Sequence, residues 1–209
     1  MGYEPYDCLM DLAFYGAVFV TLLVIIDPPG IVPIFLGLTR ERTRPEVSRL
    51  VRTAVLTSFA VITGFAVLGD KVLSYLHISL PAMQGAGGLL LLLVALELLM
   101  GKEAEPEAHT DVSIALVPLG VPLLAGPGAI VATILFARDA STIPELAALA
   151  GAIVAVHAVL WASMRYSTVV SRVMGKGGIT ILTRISGLLL AAIAVQLVAD
   201  AVLGFVAAG

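Results

Sequence analysis

Six long runs of apolar residues dominate the chain, and each is about as long as a helix that crosses a lipid bilayer. Such a span needs about 20 predominantly apolar residues. The runs are Leu12–Leu38, Val51–Gly69, Leu80–Met100, Val112–Ala137, Ile143–Met164 and Ile179–Val206. The segments between them are short, so we expect one membrane domain over residues 1–209 and no soluble domain. The pattern predicts an all-α integral membrane protein with six transmembrane helices.

The composition excludes a soluble fold. Hydrophobic residues make up 59% of the chain and charged residues 13%, whereas soluble domains have about 45–50% apolar and about 25% charged residues. Polar side chains are therefore too few to cover a surface in water. The acidic flank of the first run (Glu4, Asp7 and Asp11) and the length of that run predict a retained span rather than a cleaved signal peptide.

Basic residues lie mainly on one side of the predicted spans. The segments after spans one, three and five contain Arg40, Arg42, Arg44, Arg49, Arg52, Lys102, Arg165, Arg172 and Lys176. The opposite side has Lys71 and Arg138. Because positively charged loops stay in the cytoplasm, we expect a multi-pass protein of the cell inner (plasma) membrane with both termini outside.

The two halves of the chain repeat the same features at an offset of 98 or 99 residues. Pro29-Gly30 corresponds to Pro127-Gly128. The segment GLLLLLVALEL at 88–98 corresponds to GLLLAAIAVQL at 187–197. The repeats cover about residues 11–101 and about 112–207. Each contains three spans, an odd number, so the second enters the membrane from the opposite side. We therefore expect two inverted-topology three-helix repeats with broken first helices, which is typical of secondary transporters.

Each repeat carries helix-breaking residues near the middle of its first span, in IIDPPGIVPIF at 25–35 and PLLAGPGAIVATI at 122–134. Proline costs on the order of 3 kcal/mol inside a helix, and broken backbone survives in hydrocarbon only against protein or a watery cavity. A half-helix that begins there presents amides to a carboxylate, and one that ends there presents carbonyls to a cation or an ammonium. The candidate substrate-binding residues at the breaks are Asp27, Pro28, Pro29, Gly30, Ile31, Leu124, Ala125, Gly126, Pro127, Gly128 and Ala129.

A plain kink is the alternative for each break, because proline and glycine are common in membrane helices. Two related breaks at similar depth, one of them with Asp27, favour a site instead. An aspartate in the bilayer interior costs about 2.5–3.5 kcal/mol, so Asp27 should face the bundle and have a partner. Asp27 also suits the N-cap of a half-helix that starts at Pro28 or Pro29.

A few other polar residues lie in the spans. Gln84 and Arg184, in adjacent registers of spans three and six, are further candidate substrate-binding residues, although Arg184 also suits the cytoplasmic interface. Glu97 lies near the end of span three, where solvation is expected, and His157 is expected to be a buried, hydrogen-bonded histidine. The single cysteine, Cys8, excludes an intramolecular disulfide and a cysteine-based metal site, and we expect no metal and no cofactor.

With these motifs the sequence resembles the MarC family of integral membrane proteins (UPF0056) over nearly its whole length. The resemblance is carried by DPPGIVPIFLGLT in span one, LPAMQGAGGLLLLLVALELLMG in span three, PLLAGPGAIVATI in span four and LTRISGLLLAAIAVQLVADAV in span six. It implies a six-span protein related to the LysE exporter superfamily and to transporters of small neutral amino acids such as glycine and alanine. The third span of the family commonly reads FRIAGG, and Gln84 stands here in place of that arginine, so this position has no charge for an anion.

The sequence therefore predicts a secondary transporter that moves a small zwitterionic solute, a neutral amino acid such as glycine or alanine, by alternating access. A proton or Na⁺ as coupling ion and a homo-oligomer stay open. The alternatives are a passive channel, for which these spans supply few polar residues, and a membrane scaffold without transport. No G-x-S-x-G, H-E-x-x-H or phosphate-binding loop occurs, so we expect no enzyme. The expected partners are the amino acid and the lipid bilayer, with no nucleic acid.

Overall fold

The computed structural model describes residues 5–40, 42–100 and 125–208, with the side chains of all of these except 5–11, 176 and 208, and every regular element in these ranges is a helix. The helices are α1 (Pro5–Ile26), α2 (Pro28–Thr39), α3 (Arg44–Tyr75), α4 (Leu80–Met100), α5 (Pro127–Asp139), α6 (Ile143–Arg165) and α7 (Ser167–Ala208). Helix α7 is interrupted at Gly175, whose φ of 63° and ψ of 173° are not helical.

Five stretches of the described residues are long and apolar enough to cross a membrane. They are Leu12–Leu38, Arg44–Tyr75, Leu80–Met100, Ile143–Arg165 and Gly177–Ala207. These stretches correspond to predicted spans one, two, three, five and six. The first part of predicted span four lies outside the described residues, and α5 forms its second part.

The second span begins earlier than predicted because a polar cap extends its helix. The Glu46 carboxylate accepts hydrogen bonds from the backbone N–H and the hydroxyl of Thr43, both at 2.8 Å. At the start of α6, the Glu145 carboxylate accepts from the Thr142 N–H at 2.9 Å, and the Glu145 N–H donates to the Thr142 hydroxyl at 3.3 Å. Such reciprocal contacts satisfy amides that a helix leaves free at its start.

Packing joins the two halves of the chain along several helix pairs. Helix α4 lies along α7, α1 packs against α6, α2 against α6 and α7, and α3 against α5 and α6. The α4–α7 contact is close because glycines face backbone. A Cβ at Gly88 would lie 2.8 Å from the Ala194 carbonyl oxygen, and one at Gly187 would lie 3.2 Å from the Ala95 carbonyl oxygen. Small residues allow this approach between membrane helices.

The outward faces of the helices are apolar. Exposed large side chains of α4 and α7 include Leu89, Leu93, Leu96, Leu188, Leu189 and Val195. An apolar surface this extensive is rare on a soluble monomer, whereas it fits contact with lipid tails. The bundle thus has an apolar shell and an inner core to which α1, α2, α3, α5 and α6 all contribute.

Candidate functional site

The first predicted break is present at Asp27. Helix α1 ends at Ile26 and α2 begins at Pro28, and Asp27 between them has φ 44° and ψ 64°, in the left-handed region. Aspartate is one of the few non-glycine residue types enriched in that region. Hydrogen bonds still cross the break, from the Asp27 N–H to the Leu23 carbonyl at 3.0 Å and from the Ile31 N–H to the Asp27 carbonyl at 3.2 Å.

The two prolines remove helical hydrogen bonds on one side of this break. Pro28 and Pro29 have no N–H, so the carbonyls of Val24 and Ile25, one turn earlier, lose their usual helical donors. The same prolines leave the first turn of α2 poor in amides, and the Gly30 amide faces the Asp27 carboxylate. The first break therefore offers mainly acceptor oxygens.

The Asp27 side chain is buried without a hydrogen-bond partner. The residue is 5% exposed, and neither carboxylate oxygen makes a hydrogen bond within the described part of the chain. It occupies the N-cap position of α2 but makes no side-chain cap hydrogen bond. The Ser186 hydroxyl of α7 and the Gly30 amide lie near the carboxylate but do not meet hydrogen-bond geometry with it. A buried carboxylate without a partner is costly, so this one is poised to receive a donor or a cation.

Two hydroxyl residues of α7 lie beside this carboxylate. The Thr183 hydroxyl oxygen is also buried without a hydrogen-bond partner. A Cβ at Gly30 would collide with Asp27 Oδ2 and would lie 3.4 Å from Thr183 Oγ1, so these three residues are adjacent. Ser186 follows Thr183 by three residues and shares its helix face.

Sequence reasoning missed these two hydroxyls. It selected Arg184 from the same segment, and the Arg184 side chain is exposed on the outside of α7. Two signals point to Thr183 instead: it lies 99 positions after Gln84, and its spacing to Gly187 places it on the face that packs inward. Gln84 itself is half-buried and is the fifth residue of α4.

The second break begins α5. Gly126 is the N-cap, Pro127 is the first helical residue, and the Ile130 N–H donates to the Gly126 carbonyl at 3.2 Å. The amides of Gly128 and Ala129 therefore lie in the first turn of α5, where a helix supplies no intrahelical acceptors. Leu124 lies outside the described residues, so the approach of the chain to this point is not described.

The surroundings of the second break are apolar. Ala125 is 2% exposed, and the next residue, Gly126, has the N-cap position in α5 that Asp27 has in α2. A Cβ at Gly128 would collide with Cδ2 of Leu91, so the α5 start packs directly on α4. The second break thus offers amides and no acid. Residues beside both breaks, Ile31 and Ala129 among them, belong to one buried cluster.

His157 and Glu97 lie where the sequence predicts. His157 is 3% exposed; its Nδ1 lies 2.8 Å from the Ile153 carbonyl oxygen and its Nε2 lies 3.1 Å from the Ser58 hydroxyl. Since Nδ1 faces an acceptor, the ring donates there and Nε2 accepts from Ser58. Glu97 is exposed. No group of three or more His, Cys, Asp or Glu residues is placed to hold a metal ion in the described ranges.

These features define a multi-pass α-helical membrane protein whose first span is broken at a buried acid. Comparison with known proteins narrows this class: the chain belongs to the MarC family of integral membrane proteins, which matches residues 12–206.

Three curated relatives are all UPF0056 membrane proteins. One from Methanocaldococcus jannaschii is 35% identical over 202 residues, covering 93% of this chain and 98% of the relative. One from Aquifex aeolicus is 37% identical, covering 87% and 89%, and one from Escherichia coli is 31% identical, covering 93% and 94%. No solved structure matches the chain.

Proposed function

We propose that this protein is a secondary transporter of a small zwitterionic solute, a neutral amino acid such as glycine or alanine. The observation that carries the proposal is the opposite character of the two breaks. The first presents the unpaired Asp27 carboxylate, and the second presents the first-turn amides of α5. An ammonium suits the first and a carboxylate suits the second.

Alternating access requires two related halves, and the helix starts support an inverted repeat. Helices α2 and α5 begin 99 positions apart, and so do α3 and α6. The α3 and α6 starts also share a Thr-x-Pro-Glu cap, in TRPE at 43–46 and TIPE at 142–145. Three shared features at one offset are hard to attribute to apolar composition alone.

Reciprocal contacts support the same symmetry. Gly88 approaches the Ala194 carbonyl, and Gly187 approaches the Ala95 carbonyl, where both glycines and both alanines are 99 positions apart. A two-fold axis produces such pairs: if one residue contacts a second, their two symmetry-related residues make the same contact. The Ser58–His157 hydrogen bond joins two positions that are themselves 99 apart, as expected for residues on the axis.

In this mechanism the two repeats rock about the axis while the site between the breaks opens to one side at a time. The described residues lining the breaks are largely apolar, so each amide and carboxylate is worth more to a bound charge than it would be in water. The inner membrane and termini on the outside remain part of the proposal, on the strength of the basic loops. The coupling ion, a proton or Na⁺, is left to experiment.

The test is flux of labelled glycine and alanine in proteoliposomes that contain the purified protein. We expect saturable uptake and counterflow in the wild type and loss of both in Asp27→Asn. Asparagine is enriched in the left-handed region as aspartate is, so the break should persist while the charge is lost. Glu97→Gln removes an exposed acid and is the matched control. Equal flux in Asp27→Asn and wild type would sink the site assignment.

The same vesicles separate a transporter from a passive channel. A channel gives flux that does not saturate and shows no counterflow, whereas an alternating-access protein exchanges labelled for unlabelled substrate. A scaffold gives no flux of any amino acid.

A further inference from the structure

The Asp27 carboxylate does not lie alone in the core. The Thr183 hydroxyl oxygen, also buried and without a hydrogen-bond partner, lies next to Gly30, and the Ser186 hydroxyl faces the carboxylate. One helical turn of α7 therefore brings two hydroxyls to the break between α1 and α2. The Val24 and Ile25 carbonyls, deprived of donors by the two prolines, lie one turn earlier on the chain.

All of these groups are oxygen acceptors when the carboxylate is ionised. A carboxylate and two hydroxyls match the three N–H donors of a primary ammonium, and oxygen ligands also suit a hard cation. In discontinuous transporter helices, free carbonyls at the end of a half-helix coordinate coupling cations. No Lys, Arg or His side chain makes a salt bridge with Asp27 in the described part of the chain.

We propose that Asp27, Thr183 and Ser186 form a subsite for a small monovalent cationic group, which is the ammonium of the amino acid or an alkali cation. This inference rests on the proposed function and assigns to α7 two residues that take part in binding. Gly30 belongs to the subsite by default, because any larger side chain there would displace the carboxylate. Since the ligands come from the α1–α2 junction and from α7, an occupant ties these two elements together.

The experiment is a thermal-shift titration of the purified full chain in detergent, with four probes. Ethylammonium chloride supplies an ammonium without a carboxylate, and alanine supplies both groups. Sodium propionate is compared with sodium chloride to isolate the carboxylate, and sodium chloride is compared with choline chloride to isolate Na⁺. We expect ethylammonium or Na⁺ to stabilise the wild type, because a ligand that binds the native state raises its stability by mass action.

In the double variant Thr183→Val/Ser186→Ala, the concentration for half-maximal stabilisation by that cation should rise about tenfold or more, because hydrogen bonds to charged groups are lost. Thr183→Val alone should give a smaller rise. Thr63→Val is the matched control, since the Thr63 hydroxyl is also buried and unpartnered among the described residues but lies between α3 and α6, beside Leu149 and Ile153. Gly30→Ala should abolish the response, whereas Gly64→Ala, where an added Cβ meets nothing within 4 Å, should retain it.

Response to ethylammonium alone identifies the substrate ammonium as the occupant, and response to Na⁺ alone identifies an alkali cation. No stabilisation of the wild type by either cation overturns the proposal, and so does a double variant that responds as the wild type does. Alanine flux keeps the two proposals apart. Saturable flux of equal affinity in wild type and double variant removes the subsite and leaves the transporter. A cation response that depends on Thr183 and Ser186, without any alanine flux, keeps the cation subsite and removes the proposed amino-acid transport.

Discussion

Two buried polar residues of this protein differ in how their hydrogen-bonding groups are satisfied, and the difference separates structure from function. His157 has a partner for each ring nitrogen. Asp27 has a left-handed backbone and two carboxylate oxygens without a partner. Local rules tend to be violated where a protein binds something, and a satisfied polar group instead specifies packing. This contrast favours Asp27 for the site and His157 for the scaffold.

The Ser58–His157 contact gives a test at this scale. Ser58→Ala leaves the buried Nε2 of His157 without a donor, so we expect destabilisation by about 1–3 kcal/mol. Thr63 lies in the same helix as Ser58, and its buried hydroxyl has no hydrogen-bond partner in the part of the chain that the structure describes. Thr63→Val should therefore leave stability unchanged or raise it. The measurement is the unfolding transition of both variants in the same detergent. A Ser58→Ala transition that coincides with that of the wild type would mean that this hydrogen bond adds nothing to the fold.

At the scale of elements, the α4–α7 seam is the most extensive contact between the two halves of the described chain. Gly88 meets a backbone oxygen and a β-carbon that cannot move without shifting the whole helix: an added Cβ would lie 2.8 Å from the Ala194 oxygen and 3.1 Å from Leu197 Cβ. The corresponding distances at Gly187 are 3.2 Å to the Ala95 oxygen and 3.0 Å to Leu98 Cβ. The seam is therefore slightly asymmetric about the proposed axis.

This asymmetry predicts an order of effects. Gly88→Ala and Gly187→Ala should both lower the thermal unfolding midpoint, because overpacking forces backbone shifts. The larger effect is expected for Gly88→Ala, a loss of about 1–3 kcal/mol in the free energy of unfolding. Gly64→Ala, which fills open space in α3, is the control. If both seam variants had the same unfolding midpoint as Gly64→Ala, α4 and α7 would not lie as close together as the structure places them.

How much of these elements the sequence predicts depends on which interaction decides them. The break at Asp27 is predictable, because Pro28 and Pro29 remove amide donors wherever they occur. The starts of α3 and α6 are also encoded locally, in a Thr-x-Pro-Glu cap that sequence reasoning overlooked because it read the charges nearby only for orientation. Thr183 and Ser186 are different. Their proposed role depends on which face of α7 turns toward α2. The offset of 99 residues from Gln84 marks Thr183 alone, and the apolar periodicity of α7 does not encode the packing that brings both hydroxyls to Asp27.

At the scale of the whole molecule, symmetry and orientation are linked. An inverted repeat of three spans places the chain's two ends on the same side of the membrane, and the basic residues decide which side that is. The segment between α2 and α3 is predicted to be cytoplasmic, and the turn between α3 and α4 is predicted to be outside. Every span boundary thus carries a prediction about its side.

Cysteine labelling can test this arrangement, because the chain has a single native cysteine. Cys8 is the only cysteine of the chain and precedes the first span, so a membrane-impermeant maleimide should label it in intact spheroplasts that express the protein. In a Cys8→Ser background, Ser79→Cys, at an exposed position between α3 and α4, should also be labelled. Arg40→Cys, exposed just after α2, should react only after the membrane is opened. The reverse pattern would invert the orientation but keep the repeat. If Cys8 and Ser79→Cys were instead accessible from opposite sides, the number of membrane crossings before residue 79 would be odd, and the paired architecture on which alternating access depends would be lost.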